Sequence, residues 1–207
     1  VKIKTIIILS LFLTACGSLD DEKTVSPPPS TKYDKENTQQ RMINHLFTNV
    51  KVDKELYSHV VEFVSMCSLV GGEFTIQCEK RLLALNKVEY VDAFNDSPNV
   101  VGRCFYGITL SVPRTVQILK GFADVDSLSM KGLVFHELGH CLLGQDHTTV
   151  NSLDLMNPYM MEEEDYGSYW KILVKKLFDI KRLPNEKHDL DLILTHEDTF
   201  KDLSQKK

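Results

Sequence analysis

An α+β domain is the architecture this sequence predicts, and three observations point to it. Apolar residues recur at helical spacing from Asp53 to Cys67, segments rich in β-branched and aromatic residues fill much of 88–119, and two further helical patterns occupy 127–143 and 166–178. Helices and strands that fall in separate runs along a chain favour α+β. With 207 residues the chain is long enough for one domain with a substantial core and peripheral segments. A net charge of −5 offers no basic surface, so nucleic-acid binding is set aside.

Taken in order, residues 1–16 read VKIKTIIILSLFLTAC, with Lys2 and Lys4 ahead of an apolar run at 6–13. That run is too short to span a bilayer, and its charged start and small-residue end predict an export signal over 1–15. Leu13, Thr14, Ala15 and Cys16 resemble the bacterial lipobox. The resemblance implies cleavage before Cys16, lipid on its sulfur and new amino group, and a lipid-anchored envelope protein. Gly17, in place of aspartate, favours the outer membrane in a Gram-negative source. Residues 16–40 are Ser, Pro, Asp, Glu and Lys with almost no apolar residue, and predict a solvated tether stiffened by Ser26-Pro27-Pro28-Pro29-Ser30.

The folded part is expected over 41–183. Asp53 is the predicted N-cap of a helix whose apolar residues are Leu56, Val60, Phe63, Val64 and Cys67, ended by Gly71 and Gly72. Such a helix needs a sheet to pack on. Residues 79–86 read equally as a short helix or a strand. Residues 88–94, 100–106 and 115–119 are bounded by Asn, Asp, Pro and Gly and read as strands, with 108–112 a further candidate. In the helix at 127–143, Leu128, Val134, Phe135, Leu138 and Leu142 call for burial on the side away from His136 and His140. Tyr166, Tyr169, Trp170, Leu173, Val174, Leu177 and Phe178 predict a C-terminal helix whose aromatics belong to the core. Residues 184–207 form an acidic, lysine-rich tail with one apolar patch at 190–194.

The chemistry gathers in FHELGHCLLGQDHTTVNSLDLMNP, residues 135–158. His136 and His140 are four apart, so a helix projects both imidazoles from one side. Glu137 lies about 100° further round, beside any ion they hold. A catalytic Zn²⁺ needs neutral imidazoles, a third protein ligand and an open position for water, with a carboxylate to take a proton. Gly144 ends the helix and allows a turn that swings His147 back as the third ligand. Met156 follows in the tight-turn sequence LDLMNP.

In this order His136, Glu137, His140, Gly144, His147 and Met156 resemble the metzincin metallopeptidases, with their H-E-x-x-H-x-x-G-x-x-H motif and methionine turn. One feature departs from the pattern: Cys141, Leu142 and Leu143 separate His140 from Gly144 where two residues are usual. A helix end longer by one residue is expected, and Asp146, which now stands at the usual distance from His140, competes with His147. A third ligand from Glu162, Glu163 or Glu164, as in thermolysin-like enzymes, competes too, although an acidic run is ordinarily a solvated face. The resemblance implies a zincin-like catalytic domain: a twisted mixed sheet, an N-terminal helix, the metal helix, the Met-turn and a C-terminal helix. It also implies one catalytic Zn²⁺, Glu137 as general base, and a peptide or protein substrate paired with an edge strand near 102–110. Tyr159, three residues after Met156 rather than two, is a candidate to assist the oxyanion. A monomer is expected. The rival reading is an inactive zinc-binding lipoprotein with an adhesive or scaffolding role.

Setting Cys16 aside leaves Cys67, Cys78, Cys104 and Cys141, an even number that in an exported protein predicts two disulfides. Cys141 is about 100° from His140 around the helix and so points into the core. Pairs Cys104–Cys141 and Cys67–Cys78 are predicted, with free buried thiols as the alternative.

Overall fold

The computed structural model describes residues 35–106, 112–123, 127–149, 152–183 and 199–201. The export signal, Cys16, the tether up to residue 34, residues 107–111 and the apolar patch at 190–194 lie outside the described residues. The fold is α+β: a small mixed sheet with five helices among the described residues.

The first helix, α1 (Lys35–Asn49), begins before the expected boundary at residue 41. Its buried side chains Thr38, Met42 and Leu46 form one narrow line in an otherwise polar segment, and that line packs on α2 (Tyr57–Val70). Asp53 does not cap α2. A 3₁₀ turn (Lys54–Leu56) intervenes, and the Asp53 carboxylate instead accepts the Tyr90 N–H at 2.7 Å, fastening the helix start to the sheet. Gly71 and Gly72, at φ 86° and 58°, end α2 in a backbone region that other residues rarely adopt. They feed directly into α3 (Gly72–Leu82). Thr75 Oγ1 accepts the Gly71 N–H at 2.9 Å and donates to the Cys67 carbonyl at 2.6 Å, closing the corner.

The strands are β1 (Lys51–Val52), β2 (Leu85–Val91), β3 (Val100–Phe105), β4 (Arg114–Leu119) and β5 (Thr199–Lys201). Their order in the sheet is β1-β2-β4-β3-β5. β1, β2 and β4 run parallel, while β3 is antiparallel to both β4 and β5. The ambiguous stretch at 79–86 splits, since α3 ends at Leu82 and β2 begins at Leu85. β2 sits earlier than the expected 88–94, whereas β3 and β4 lie close to where composition put them.

α4 (Ser127–Leu138) packs on β3 and β4, and α5 (Glu163–Leu177) packs on α4. Leu133, Val134, Phe135 and Leu138 of α4 are fully buried. Phe63 of α2 meets the Phe135 ring edge-on at 5.1 Å, and the Trp170 ring of α5 lies tilted 5.2 Å from it. Gly132 sets how closely α5 approaches α4, because a Cβ there would lie 2.6 Å from Cζ of Tyr166. Both expected disulfides form: Cys67–Cys78 joins α2 to α3, and Cys104–Cys141 ties β3 to the end of the α4 helix. Among the described residues no helix is long and apolar enough to cross a membrane.

Candidate metal centre

α4 does not continue as an α-helix to residue 143. It widens into a π turn, Gly139–Leu143, and ends on Gly144 in the left-handed region at φ 64°, ψ 30°. Gly144 N–H donates to the His140 carbonyl at 3.1 Å, the bond of an αL helix ending, and Gln145 N–H reaches one residue further back, to the Gly139 carbonyl at 3.2 Å, as the wide turn requires. A π turn holds more residues per turn than an α turn, so it absorbs the extra residue between His140 and Gly144. The Cys141 carbonyl in this wide turn accepts from Arg114 Nη1 at 2.6 Å. The chain leaves Gly144 in a direction that returns His147 to the helix.

Three imidazoles converge. Nε2 of His136 lies 3.0 Å from Nε2 of His140 and 3.1 Å from that of His147, and the last two are 3.1 Å apart. His136 Nδ1 is 2.6 Å from the Leu155 carbonyl, and His140 Nδ1 is 2.5 Å from the Gln145 carbonyl. A carbonyl only accepts, so each of these Nδ1 atoms carries the proton and each Nε2 turns a lone pair inward. Lone pairs facing one another at this range repel unless a cation lies between them. Tetrahedral coordination at about 2.0–2.1 Å sets neighbouring nitrogens about 3.3 Å apart, so the trio is close to the spacing that a metal ion needs. The three histidines fit a metal centre.

The site is electrostatically ready. Burial pushes the His136 pKa well below its ordinary value, and the neighbouring His140 and His147 add to this against the Leu155 carbonyl. Burial lowers His140 to about 4, opposed by its bond to the Gln145 carbonyl. Both rings are therefore neutral near pH 7, the form that binds metal. A stability effect follows for the metal-free protein. Below the ordinary value of 6.5 the unfolded chain takes up a proton at His140 that the folded chain refuses until about 4. Across that window the unfolded state binds more protons, so stability falls as pH falls. Urea midpoints measured in chelator should drop on acidification through this window, with a smaller drop in His140→Ala; an equal drop in both would count against it.

The two carbonyls that orient the ligands are themselves anchored. Leu155 lies in the methionine turn, where the Asp154 carboxylate accepts the Met156 N–H at 2.9 Å and takes Arg182 Nη1 at 2.9 and 3.0 Å. Gln145 Nε2 donates to the Leu177 carbonyl at 2.7 Å. Met156 is fully buried against the metal helix, where a Cβ on Gly139 would lie 2.6 Å from its sulfur. Its carbonyl accepts the Thr148 N–H at 2.8 Å, which fixes the loop just after His147. Arg182→Met is expected to weaken metal binding by about 10–100-fold, as loss of partners behind metal ligands does elsewhere. Competition against a chromophoric chelator would measure this, and unchanged affinity would show the clamp to be idle.

Of the competing ligands, Asp146 is exposed, and Glu162, Glu163 and Glu164 lie exposed at the start of α5; none belongs to the cluster. Glu137 is fully buried beside the ligands in sequence and packs under β3. A Cβ on Gly102 would fall 2.9 Å from both Cγ and Cδ of Glu137, so the strand passes directly over the carboxylate arm. Tyr159 is half-buried after the turn, its N–H donating to Asn157 Oδ1 at 3.1 Å. Sequence reasoning did not single out Asp154, Arg182, Gln145 or Arg114 as parts of this site. The one available signal was Gly102, since a glycine inside a strand marks a close approach. No protein-family model matches this chain, and no curated protein or solved structure matches it.

Proposed function

We propose that this chain is a zinc-dependent metalloendopeptidase of zincin-like, metzincin type, anchored in the bacterial envelope by lipid on Cys16. The observation that carries the reading is the convergence of three Nε2 atoms within 3.1 Å of one another, with Glu137 next in sequence to the first. A histidine trio leaves one tetrahedral position to water, the mark of catalytic rather than structural zinc. When bound, zinc would supply Lewis acidity, polarising the scissile carbonyl and lowering the pKa of water toward neutrality.

The chain's own residues do the rest. His136, His140 and His147 hold the ion as neutral ligands, and the Leu155 and Gln145 carbonyls keep two of the rings in the right tautomer. The Glu137 carboxylate accepts the proton of the attacking water and returns it to the leaving amine. With residues 199–201 off its outer side, β3 would offer main-chain N–H and C=O groups to an extended substrate, and Gly102 gives the close approach to Glu137. Peptide and protein substrates fit such a groove, and a monomer suffices to build it.

Glu137→Gln separates turnover from binding. The variant is expected to fold, to hold one equivalent of zinc, and to cleave a broad peptide library about 10²–10⁴-fold more slowly. Equal cleavage by variant and wild type would defeat the peptidase reading. Zinc bound by both with no cleavage by either would leave a zinc-binding lipoprotein with an adhesive or scaffolding role.

A further inference from the structure

The outermost strand of the sheet comes from the far end of the chain. β5 lies antiparallel on β3, with Lys201 opposite Val100, Phe200 opposite Gly102 and Thr199 opposite Arg103. The other side of β3 is already paired with β4, where Gly102 faces Ile118 and Cys104 faces Val116. β3 thus has one side left for an incoming chain, and residues 199–201 are on it. Gly102 is also the residue that passes over Glu137, at a separation which leaves no room for a Cβ. Paired strands lie about 4.8 Å apart, so the main chain at Phe200 runs one strand spacing from the glycine touching the carboxylate.

We propose that the C-terminal segment Thr199–Lys201 is an intramolecular occupant of the peptide-binding edge, which must leave before an extended substrate can pair with β3. Main-chain groups engaged in a ladder with β5 are not open to a second strand. The antiparallel direction of β5 is one that an extended peptide can also adopt on that edge. Three residues make few ladder hydrogen bonds, each with a small net contribution, so a longer substrate strand displaces them. The site is thereby shielded in the resting chain and opened by substrates long enough to pair along β3.

This inference rests on the peptidase reading for what the edge receives, and its test keeps the two apart. Phe200→Pro in the full chain fixes φ at about −65°, away from extended β values, and removes a main-chain N–H at the middle of a three-residue strand. Hydrogen exchange at the β3 amides reports docking, and binding of a fluorescein-labelled peptide library to Glu137→Gln, with and without Phe200→Pro, reports competition without turnover. If the tail covers the edge nine-tenths of the time, Phe200→Pro raises library affinity about tenfold, by the rule that apparent affinity scales with the competent fraction. Faster β3 exchange should accompany this, and a synthetic HEDTFKDL peptide, the sequence of 196–203, should compete with the library for the variant. Unchanged exchange would overturn the proposal, as would faster exchange with unchanged library affinity or a peptide that fails to compete. Raised affinity with no cleavage by any chain that keeps Glu137 would defeat the peptidase reading while upholding the occupant.

Discussion

His147→Ala is expected to raise the zinc dissociation constant by more than about a hundredfold, while Asp146→Ala leaves it unchanged. Structural zinc sites of four ligands bind with about 10–16 kcal/mol, so one ligand accounts for roughly 3 kcal/mol, upwards of a hundredfold. The contrast between adjacent residues follows from the π turn. A regular α-helical ending would bring the residue three after the turn glycine to the site only if that glycine sat one position earlier. Here the wide turn takes up the extra residue, and His147 converges with His136 and His140 while Asp146 is exposed. Calorimetric titration of the two single variants with Zn²⁺ decides between them. A loss in Asp146→Ala with full affinity in His147→Ala would mean that the helix ends differently from the structure described.

The pairing of His136 with His140 was legible because a four-residue spacing maps onto one helix face whatever the surroundings. His147 was legible through Gly144, since a glycine placed to adopt φ 64° stops a helix and redirects the chain. The shape of that ending was not legible. Periodicity assumes a uniform turn, and the π turn is held in part by Arg114, whose guanidinium reaches the Cys141 carbonyl from a strand. Both disulfides followed from the number of cysteines and the facing of Cys141, which are local properties. α1 was hidden because Thr38, Met42 and Leu46 are too thin a line to stand out from a polar segment. Asp53 had the composition of a cap, but the Tyr90 N–H offered its carboxylate a partner across the sheet. The Asp154–Arg182 clamp joins residues with no sequence relation, and only the folded chain brings them within 3.0 Å.

If the proposed peptidase reading holds, Gly102→Ala is expected to cut peptide cleavage by about a hundredfold with zinc content intact, on the general cost of misplacing a catalytic group by about 1 Å. The added methyl meets Cγ and Cδ of Glu137 at 2.9 Å, and with Glu137 fully buried the side chain has no solvent into which it can swing. Either the glutamate shifts or β3 does. β3 resists, because it is paired along β4 and stapled through Cys104–Cys141 to the helix end that carries His140. The glutamate therefore takes most of the displacement, and a lower unfolding midpoint, of the order of 1–3 kcal/mol for overpacking, should accompany the lost turnover. Gly121→Ala is the control, since no atom lies within 4 Å of a Cβ at that position. The three atoms nearest a Cβ at Gly102 all belong to Glu137, so metal affinity is expected to hold in both variants. Full activity in Gly102→Ala would mean that Glu137 is not confined beneath β3, and the close passage of strand over carboxylate would lose its functional meaning.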